Sequence, residues 1–247
     1  MTPDPARARV FGSFAADYDR YRPDYPPGAL DWVLPEDAER VADVGAGTGK
    51  LTAALLDRGL HVDAVEPDAA MLEQLGRVAP GARRHRAGAE ELPLADDSVD
   101  AVVVGQAWHW VDVERAVPEV RRVLRPGGTL GLLWNTVDTE AGGWVAAVEA
   151  LDPDPPRGHD WRPDDVGLPD GEPELAVVAW TWWVSPDDVA GCLATHSGVA
   201  MLPDAERTAL LEEAREIVRA AVDEQDRGDG MIAWPHRCLC VRWTPGA

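Results

Sequence analysis

Apolar positions along the chain switch between two periods. Val41-Ala42-Asp43-Val44 is a short apolar run leading into Gly45-Ala46-Gly47-Thr48-Gly49, and residues 51–56 follow at helical spacing. That order predicts a strand, a glycine turn and a helix. Gly59 ends the helix, residues 60–66 alternate into a second strand, and Asp68 is placed to cap a helix carrying Met71, Leu72, Leu75 and Val78. A weak strand over residues 82–87, a buried strand over 99–104, a helix over 111–124 and a strand over 129–134 continue the rhythm. The last strand follows a turn at Pro126-Gly127-Gly128, and Pro118 is expected to bend or shorten the helix before it.

Strands alternating with helices in this way predict a mostly parallel sheet covered on both faces, with residues 41–134 as its scaffold. Residues 152–173 hold six prolines and three glycines, which reads as a loop or lid. Beyond it, residues 174–184 are strand-like, Ser185-Pro186 suits a helix start, residues 203–222 form an amphipathic helix pattern, and residues 231–243 resemble a closing strand.

A chain of 247 residues, 45% of them hydrophobic, can bury a substantial core and fits one α/β domain. Its 23 Lys and Arg against 44 Asp and Glu give a formal charge of −21, which disfavours nucleic acid as a partner. Lys50 is the only lysine. The arginine cluster Arg83-Arg84-His85-Arg86 is short, and reads as a solvated strand edge rather than as a contact for nucleic acid or an acidic ligand. No run reaches the roughly 18 residues of a membrane span, and no apolar signal core opens the chain, so a cytoplasmic protein is expected. Three cysteines are too few for a disulfide scaffold, and His236-x-Cys238-x-Cys240 lacks a second ligand pair, so no metal is expected.

The chemistry concentrates at the glycine turn. In open parallel sheets ligands bind beyond the carboxyl ends of the strands, where glycine admits close backbone approach and helix-opening N–H groups point outward. The turn suits either a dinucleotide pyrophosphate or an amino-acid carboxylate. The glycines run G-x-G-x-G, and Lys50 stands at the third glycine position of the dinucleotide fingerprint. Glu66 closes the second strand 17 residues after Gly49. An acid there can accept both ribose hydroxyls of either an NAD or an S-adenosylmethionine. A ligand-free turn and an exposed strand-end acid are the plainer alternatives.

These residues resemble class I S-adenosylmethionine-dependent methyltransferases acting on small molecules. The likeness is carried by residues 41–49, by Val65-Glu66-Pro67-Asp68, by Gly88-Ala89-Glu90-Glu91-Leu92-Pro93-Leu94 and by Asp97-Ser98-Val99-Asp100. Residues 119–128 and Trp134-Asn135 extend it over roughly residues 10–135. The resemblance implies a Rossmann-like, doubly wound, mostly parallel sheet with an antiparallel C-terminal strand and a lid insertion. Residues 1–35 would form an N-terminal gate, 36–135 the cofactor-binding core, 136–173 the lid, and 174–247 the C-terminal sheet and helices. It further implies that Asp43, Gly45, Ala46, Gly47, Thr48 and Gly49 hold the methionine moiety. Glu66 would take the ribose hydroxyls, Pro67 and Met71 would flank the adenine, and Ala89 and Glu90 would lie along its edge. Many relatives carry Asp where Gly88 stands, so the adenine amino group needs another acceptor, either Glu90 or a backbone carbonyl.

The transfer is a displacement at a sulfonium carbon, for which a protein base is optional. Gly105-Gln106-Ala107-Trp108-His109-Trp110 follows the fourth strand, on the sheet edge that carries the glycine turn. The resemblance implies cofactor contact for Gln106 and substrate contact for Trp108 and His109, His109 being the catalytic candidate. The alternative has the tryptophans packed under the next helix and His109 structural. Tyr18 and Arg22 are the gate candidates, and Trp180, Trp182 and Trp183 read as a core stripe before an aromatic cage. A small-molecule methyl acceptor is the expected partner. An NAD-dependent oxidoreductase and a non-catalytic S-adenosylmethionine-binding regulatory module are the competing functions.

Overall fold

A computed structural model describes residues 20–153, 166–169, 173–225 and 228–246. The proposed gate residue Tyr18, and residues 154–165 and 170–172 of the proposed lid, lie outside these. Helix α1 (Pro27–Val33) precedes β1 (Arg40–Val44), α2 (Lys50–Leu56), β2 (His61–Val65), α3 (Ala69–Val78), β3 (Arg83–His85) and β4 (Val99–Gly105). A one-turn helix at Trp108–Trp110 leads to α4 (Val113–Val123) and β5 (Leu124–Val137). Then come α5 (Gly143–Glu149), β6 (Glu174–Val184), α6 (Pro186–Ala194), α7 (Ser197–Ala200), α8 (Asp204–Gln225) and β7 (Ile232–Trp243).

The seven strands make one sheet in the order β3-β2-β1-β4-β5-β7-β6. All neighbours pair in parallel except β7, which is antiparallel to both β5 and β6. The Rossmann-like sheet with one antiparallel strand is thus present. Strand β4 shows why both faces are covered: Val102 and Val104 pack with Val117 and Val120 of α4, while Ala101 and Val103 pack with Leu30 and Val33 of α1 and Leu55 of α2. The unbroken apolar run from Ala101 to Val104 is what a strand buried on both sides requires.

Local signals account for the element ends. Asp68 accepts the N–H groups of Ala70 and Met71 and so caps α3, and Ser185 with Asp188 forms a reciprocal capping box on α6. Two expectations are corrected. The Pro126-Gly127-Gly128 turn lies inside β5 rather than ahead of it: Leu124 already pairs with Val99, residues 125–128 bulge out unpaired with Gly127 at φ 83°, and pairing resumes at Thr129 opposite Ala101. Helix α4 also runs on past Pro118 to Val123. Of the three clustered tryptophans, Trp182 stacks on Trp234 with centroids 5.7 Å apart and Trp180 packs into the core, whereas Trp183 is exposed. The arginine cluster lies on β3 at the edge of the sheet with Arg83, Arg84 and Arg86 exposed.

A third apolar cluster builds the C-terminal part. Val145 and Val148 of α5, Val189 and Leu193 of α6, Ala214 and Val218 of α8, and Ile232 and Trp234 of β7 pack together. This packing fixes where the last residue of α5 and the segment after α6 stand.

Candidate active site

Going from β1 outward, the strand order runs through β2 and β3 on one side and through β4 and β5 on the other, so the winding across the sheet reverses beside β1 while the strands stay parallel. The carboxyl ends of β1, β4 and β5 share one edge, and a cavity opens there, as expected at such a switch point. Its lining includes Asp43, Gly45, Ala46, Gly47 and Thr48 from β1 and the turn, and Gly105 and Gln106 from the end of β4. Asn135, Thr136 and Val137 of β5 complete that edge.

The turn is built by backbone. Gly45, Gly47 and Gly49 all have positive φ (70°, 55° and 96°), a region costly to side chains bearing Cβ. At Gly45 the constraint is doubled, since a Cβ would lie 2.6 Å from that of Ala107. Gly45→Ala is therefore expected to lower stability by about 2–4 kcal/mol, combining left-handed strain with overpacking. Urea unfolding monitored by tryptophan fluorescence measures it, and an unchanged midpoint would contradict the fit. Gln106 is a non-glycine residue at φ 59°, held by its N–H on the Leu133 carbonyl at 2.8 Å and by its side-chain amide on the Asn135 carbonyl at 2.6 Å. Strain of this kind persists only where surrounding contacts enforce it, and it clusters at functional sites.

Asp43 lies at the heart of the site. It is fully buried on β1, and Oδ2 accepts the Thr52 hydroxyl at 2.5 Å. Oδ1 is buried with no hydrogen-bond partner among the described residues. Burial, opposed by the Thr52 hydrogen bond and reinforced by the charge of Glu66, pushes the carboxyl up to about 7. Two further acceptors lining the cavity are orphaned in the same way: Oδ1 of Asn135, whose amide donates to the Asp24 carbonyl at 3.0 Å, and Oε1 of Glu149 at the end of α5.

Glu66 is buried and turned back on the turn, its Oε2 accepting the Gly47 N–H at 2.9 Å and its Oε1 the Asp68 N–H at 2.8 Å. Each carboxylate oxygen keeps a further lone pair. Burial, the leading cause, raises its pKa above the usual carboxylate value. Glu66, Gly49, Pro67, Met71, Ala89 and Glu90 do not line the cavity that Asp43 lines. Met71 still reaches the turn, its sulfur 4.0 Å from where a Gly47 Cβ would stand. Beside Gly88, the Oε2 of Glu90 lies 2.6 Å from the place of a Gly88 Cβ, while Oε1 accepts the Asp112 N–H at 3.0 Å. A carboxylate thus occupies the space an aspartate at 88 would have used.

The expected substrate contacts divide. Trp108 belongs to the core, 2% exposed, with its indole N–H on the Val166 carbonyl at 2.9 Å, so the structural alternative holds for this side chain. His109 is exposed, its ring 4.8 Å from that of Trp110, and it is absent from the cavity lining. Arg22 does line the cavity, and donates to the Thr195 carbonyl at 3.2 Å.

Sequence reasoning missed Tyr25, Lys50, Thr139, Glu149, Cys192, His196 and His236, which also line it. Lys50 pairs with Asp24 at 3.0 Å. His196 is buried with Nδ1 2.7 Å from Oδ2 of buried Asp152. His236 is buried with Nδ1 on the Trp234 carbonyl at 3.0 Å, and burial drives its pKa down to about 4. Cys238 and Cys240 lie in the core on β7.

The comparisons agree with this architecture. Residues 42–132 match the family described as a methyltransferase domain. An uncharacterized methyltransferase of Mycobacterium tuberculosis is 46% identical over 241 residues, covering 95% of both chains. A methyltransferase-like protein of Schizosaccharomyces pombe is 30% identical over 87% of this chain and 85% of its own. Among solved structures, one described as a type II methyltransferase from Anaeromyxobacter dehalogenans superposes with a TM-score of 0.59 at 27% identity, covering 90% of this chain and 95% of that one. Identity at this level along almost the whole length, on this strand order and around this turn, makes the chain a member of the class I S-adenosylmethionine-dependent methyltransferases.

Proposed function

We propose that the cavity beside the glycine turn binds S-adenosylmethionine and that the chain transfers its methyl group to a small-molecule acceptor. The observation that carries this reading is the set of orphaned buried acceptors on the wall, Asp43 Oδ1 and Asn135 Oδ1 above all. Buried acceptors without donors are costly, and a ligand bearing donors relieves them. The ammonium of the methionine moiety is such a ligand. A pyrophosphate, all acceptor and doubly negative, would be repelled by the same wall, which argues against the NAD reading.

In this assignment the Gly45 to Gly49 backbone and Thr48 hold the methionine end and Asp43 accepts from its ammonium. Glu66 accepts the ribose hydroxyls while bracing Gly47, Pro67 and Met71 flank the base with Ala89, and Glu90 receives the adenine amino group. Gln106 borders the sulfur side, and Arg22 guards the mouth. Bound there, the sulfonium supplies an activated methyl carbon, so the chain's share of catalysis is alignment and exclusion of water. No described helix is long and apolar enough to cross a membrane, and the acidic chain favours a small acceptor over nucleic acid.

Isothermal titration tests the assignment. S-adenosylmethionine and S-adenosylhomocysteine are expected to bind with measurable heat and NADH to give none. Heat with NADH alone would overturn it.

A further inference from the structure

Among the lining residues that sequence reasoning missed, His196 forms a buried acid–histidine pair with Asp152, which does not itself line the cavity. Asp152 follows α5 and His196 follows α6, and the two elements are packed together by Val145, Val148, Val189 and Leu193. Asp152 Oδ2 lies 2.7 Å from His196 Nδ1, with 0% and 7% of their side chains exposed. An aspartate on Nδ1 holds the proton there and leaves Nε2, across the ring, bare. Nε2 has no hydrogen-bond partner among the described residues, and His196 lines the same cavity as Asp43 and Gly45. A neutral imidazole backed by a buried carboxylate and facing a ligand cavity is an arrangement suited to taking a proton.

We propose that His196, positioned by Asp152, accepts the proton of the methyl acceptor, and that the acceptor is a small hydroxyl- or amine-bearing molecule rather than a carboxylate. The inference rests on the S-adenosylmethionine reading above. The acceptor's lone pair forms the bond to the methyl carbon, the carbon–sulfur pair stays on sulfur, and the O–H or N–H proton passes to Nε2. The products are the methylated acceptor, S-adenosylhomocysteine and an imidazolium that returns its proton to water. The proton becomes strongly acidic only as the new bond forms, so a weak base suffices.

The charge of the wall argues for the acceptor class. Its cations are Arg22 and Lys50, and Lys50 is already paired with Asp24. Arg22 is opposed by Glu149 and Asp152, whose interactions with the neighbouring groups are felt at Glu149 and His196. A carboxylate acceptor would find no surplus positive charge and would need no base. The orphaned Glu149 Oε1 instead asks for a donor, and burial with the charge of Asp152 pushes that carboxyl up to about 7. Around His196 itself, burial and Arg22 lower the pKa while Asp152 raises it, with a net lowering that keeps the ring neutral. Cys192 stands on the preceding helix, its thiol pushed up to about 11 by burial.

The test uses full-length protein labelled with ¹⁵N-histidine and saturated with S-adenosylhomocysteine. Small phenols, alkanols, amines and carboxylates of similar size are added one at a time. A phenol, alkanol or amine is expected to move the His196 Nε2 resonance, and the same probe to take a labelled methyl group when S-adenosylmethionine is supplied. His196→Gln is expected to lower kcat on that probe by on the order of 100-fold while changing cofactor Kd less than twofold. Asp152→Asn should lower kcat less and shift the His196 tautomer. The wild-type kcat should rise with pH through a value below the ordinary histidine pKa and then level off, a limb absent in His196→Gln. If His196→Gln does not fold, the resonance of the unaltered protein decides. A resonance unmoved by every probe, methylation confined to carboxylates, or full turnover in His196→Gln overturns the proposal. Failure to bind S-adenosylhomocysteine at all overturns the cofactor reading and this proposal with it, whereas normal binding with a silent His196 overturns this one alone.

Discussion

Replacing Glu66 with alanine is expected to weaken S-adenosylmethionine binding by about 3 kcal/mol, since two hydrogen bonds to a charged acceptor are lost at roughly 1.5 kcal/mol each. That corresponds to a Kd on the order of 100-fold higher. The structure adds a second consequence. The Glu66 carboxylate is also the acceptor for the N–H groups of Gly47 and Asp68, so the variant loosens the turn and the entry to α3 as well as the ribose site. Leaving such donors unpaired costs about 1–3 kcal/mol each where they are buried. Calorimetric titration together with thermal unfolding separates the two contributions. Glu66→Gln, which keeps one carbonyl acceptor, should recover part of both. A loss of affinity under threefold in Glu66→Ala would end the ribose role.

Asp43 should make cofactor affinity depend on pH. With its carboxyl near 7 in the folded chain, about one molecule in ten is ionised at pH 6, so affinity for an ammonium-bearing ligand should be about tenfold weaker at pH 6 than at pH 8. Binding near pH 7 should release protons, seen as a dependence of the heat on buffer ionisation enthalpy. Asp43→Asn should remove most of that dependence and leave a weak, pH-flat affinity. The stability effect has the opposite slope. The folded pKa is raised above that of an ordinary aspartate, so the folded state holds more protons than the unfolded one, and stability falls as pH rises from about 4 through about 7. Asp43→Asn should therefore melt higher than the wild type at pH 8 and gain little at pH 4. An affinity independent of pH in the wild type would remove Asp43 from the ligand site.

The scaffold was legible because its signals are local. Residues 41–49, Asp68 as a cap, the apolar run of β4 and the Ser185-Pro186 helix start each carry their physics within a few neighbours. The break at Pro126-Gly127-Gly128 was legible too, but the pairing of Leu124 with Val99 ahead of it, which extends β5 across the bulge, is a non-local matter that no local signal carries. The turn end of the cavity was similarly readable, from Gly45 to Thr48. The wall facing it was not. Glu149 and His196, the latter held by Asp152, lie far from the turn in sequence, in no recognisable spacing, and reach the cavity only because α5, α6 and α8 pack on β7. Trp108 and His109 attracted notice by residue type and by following β4. Which of two adjacent side chains is buried depends on the phase of a one-turn helix, and here Trp108 faces the core and His109 the solvent.

The scarcity of lysine has a practical side. Lys50 is the sole side-chain amine in the chain, and it stands in the cavity wall with only 18% of its side chain accessible. An acylating reagent, an isotope-coded tag or a cellular acetyl donor therefore meets one lysine target besides the terminal amine, and it lines the cavity proposed to hold the cofactor. Its reaction rate is a built-in reporter of occupancy, readable by mass from intact protein without any engineered label.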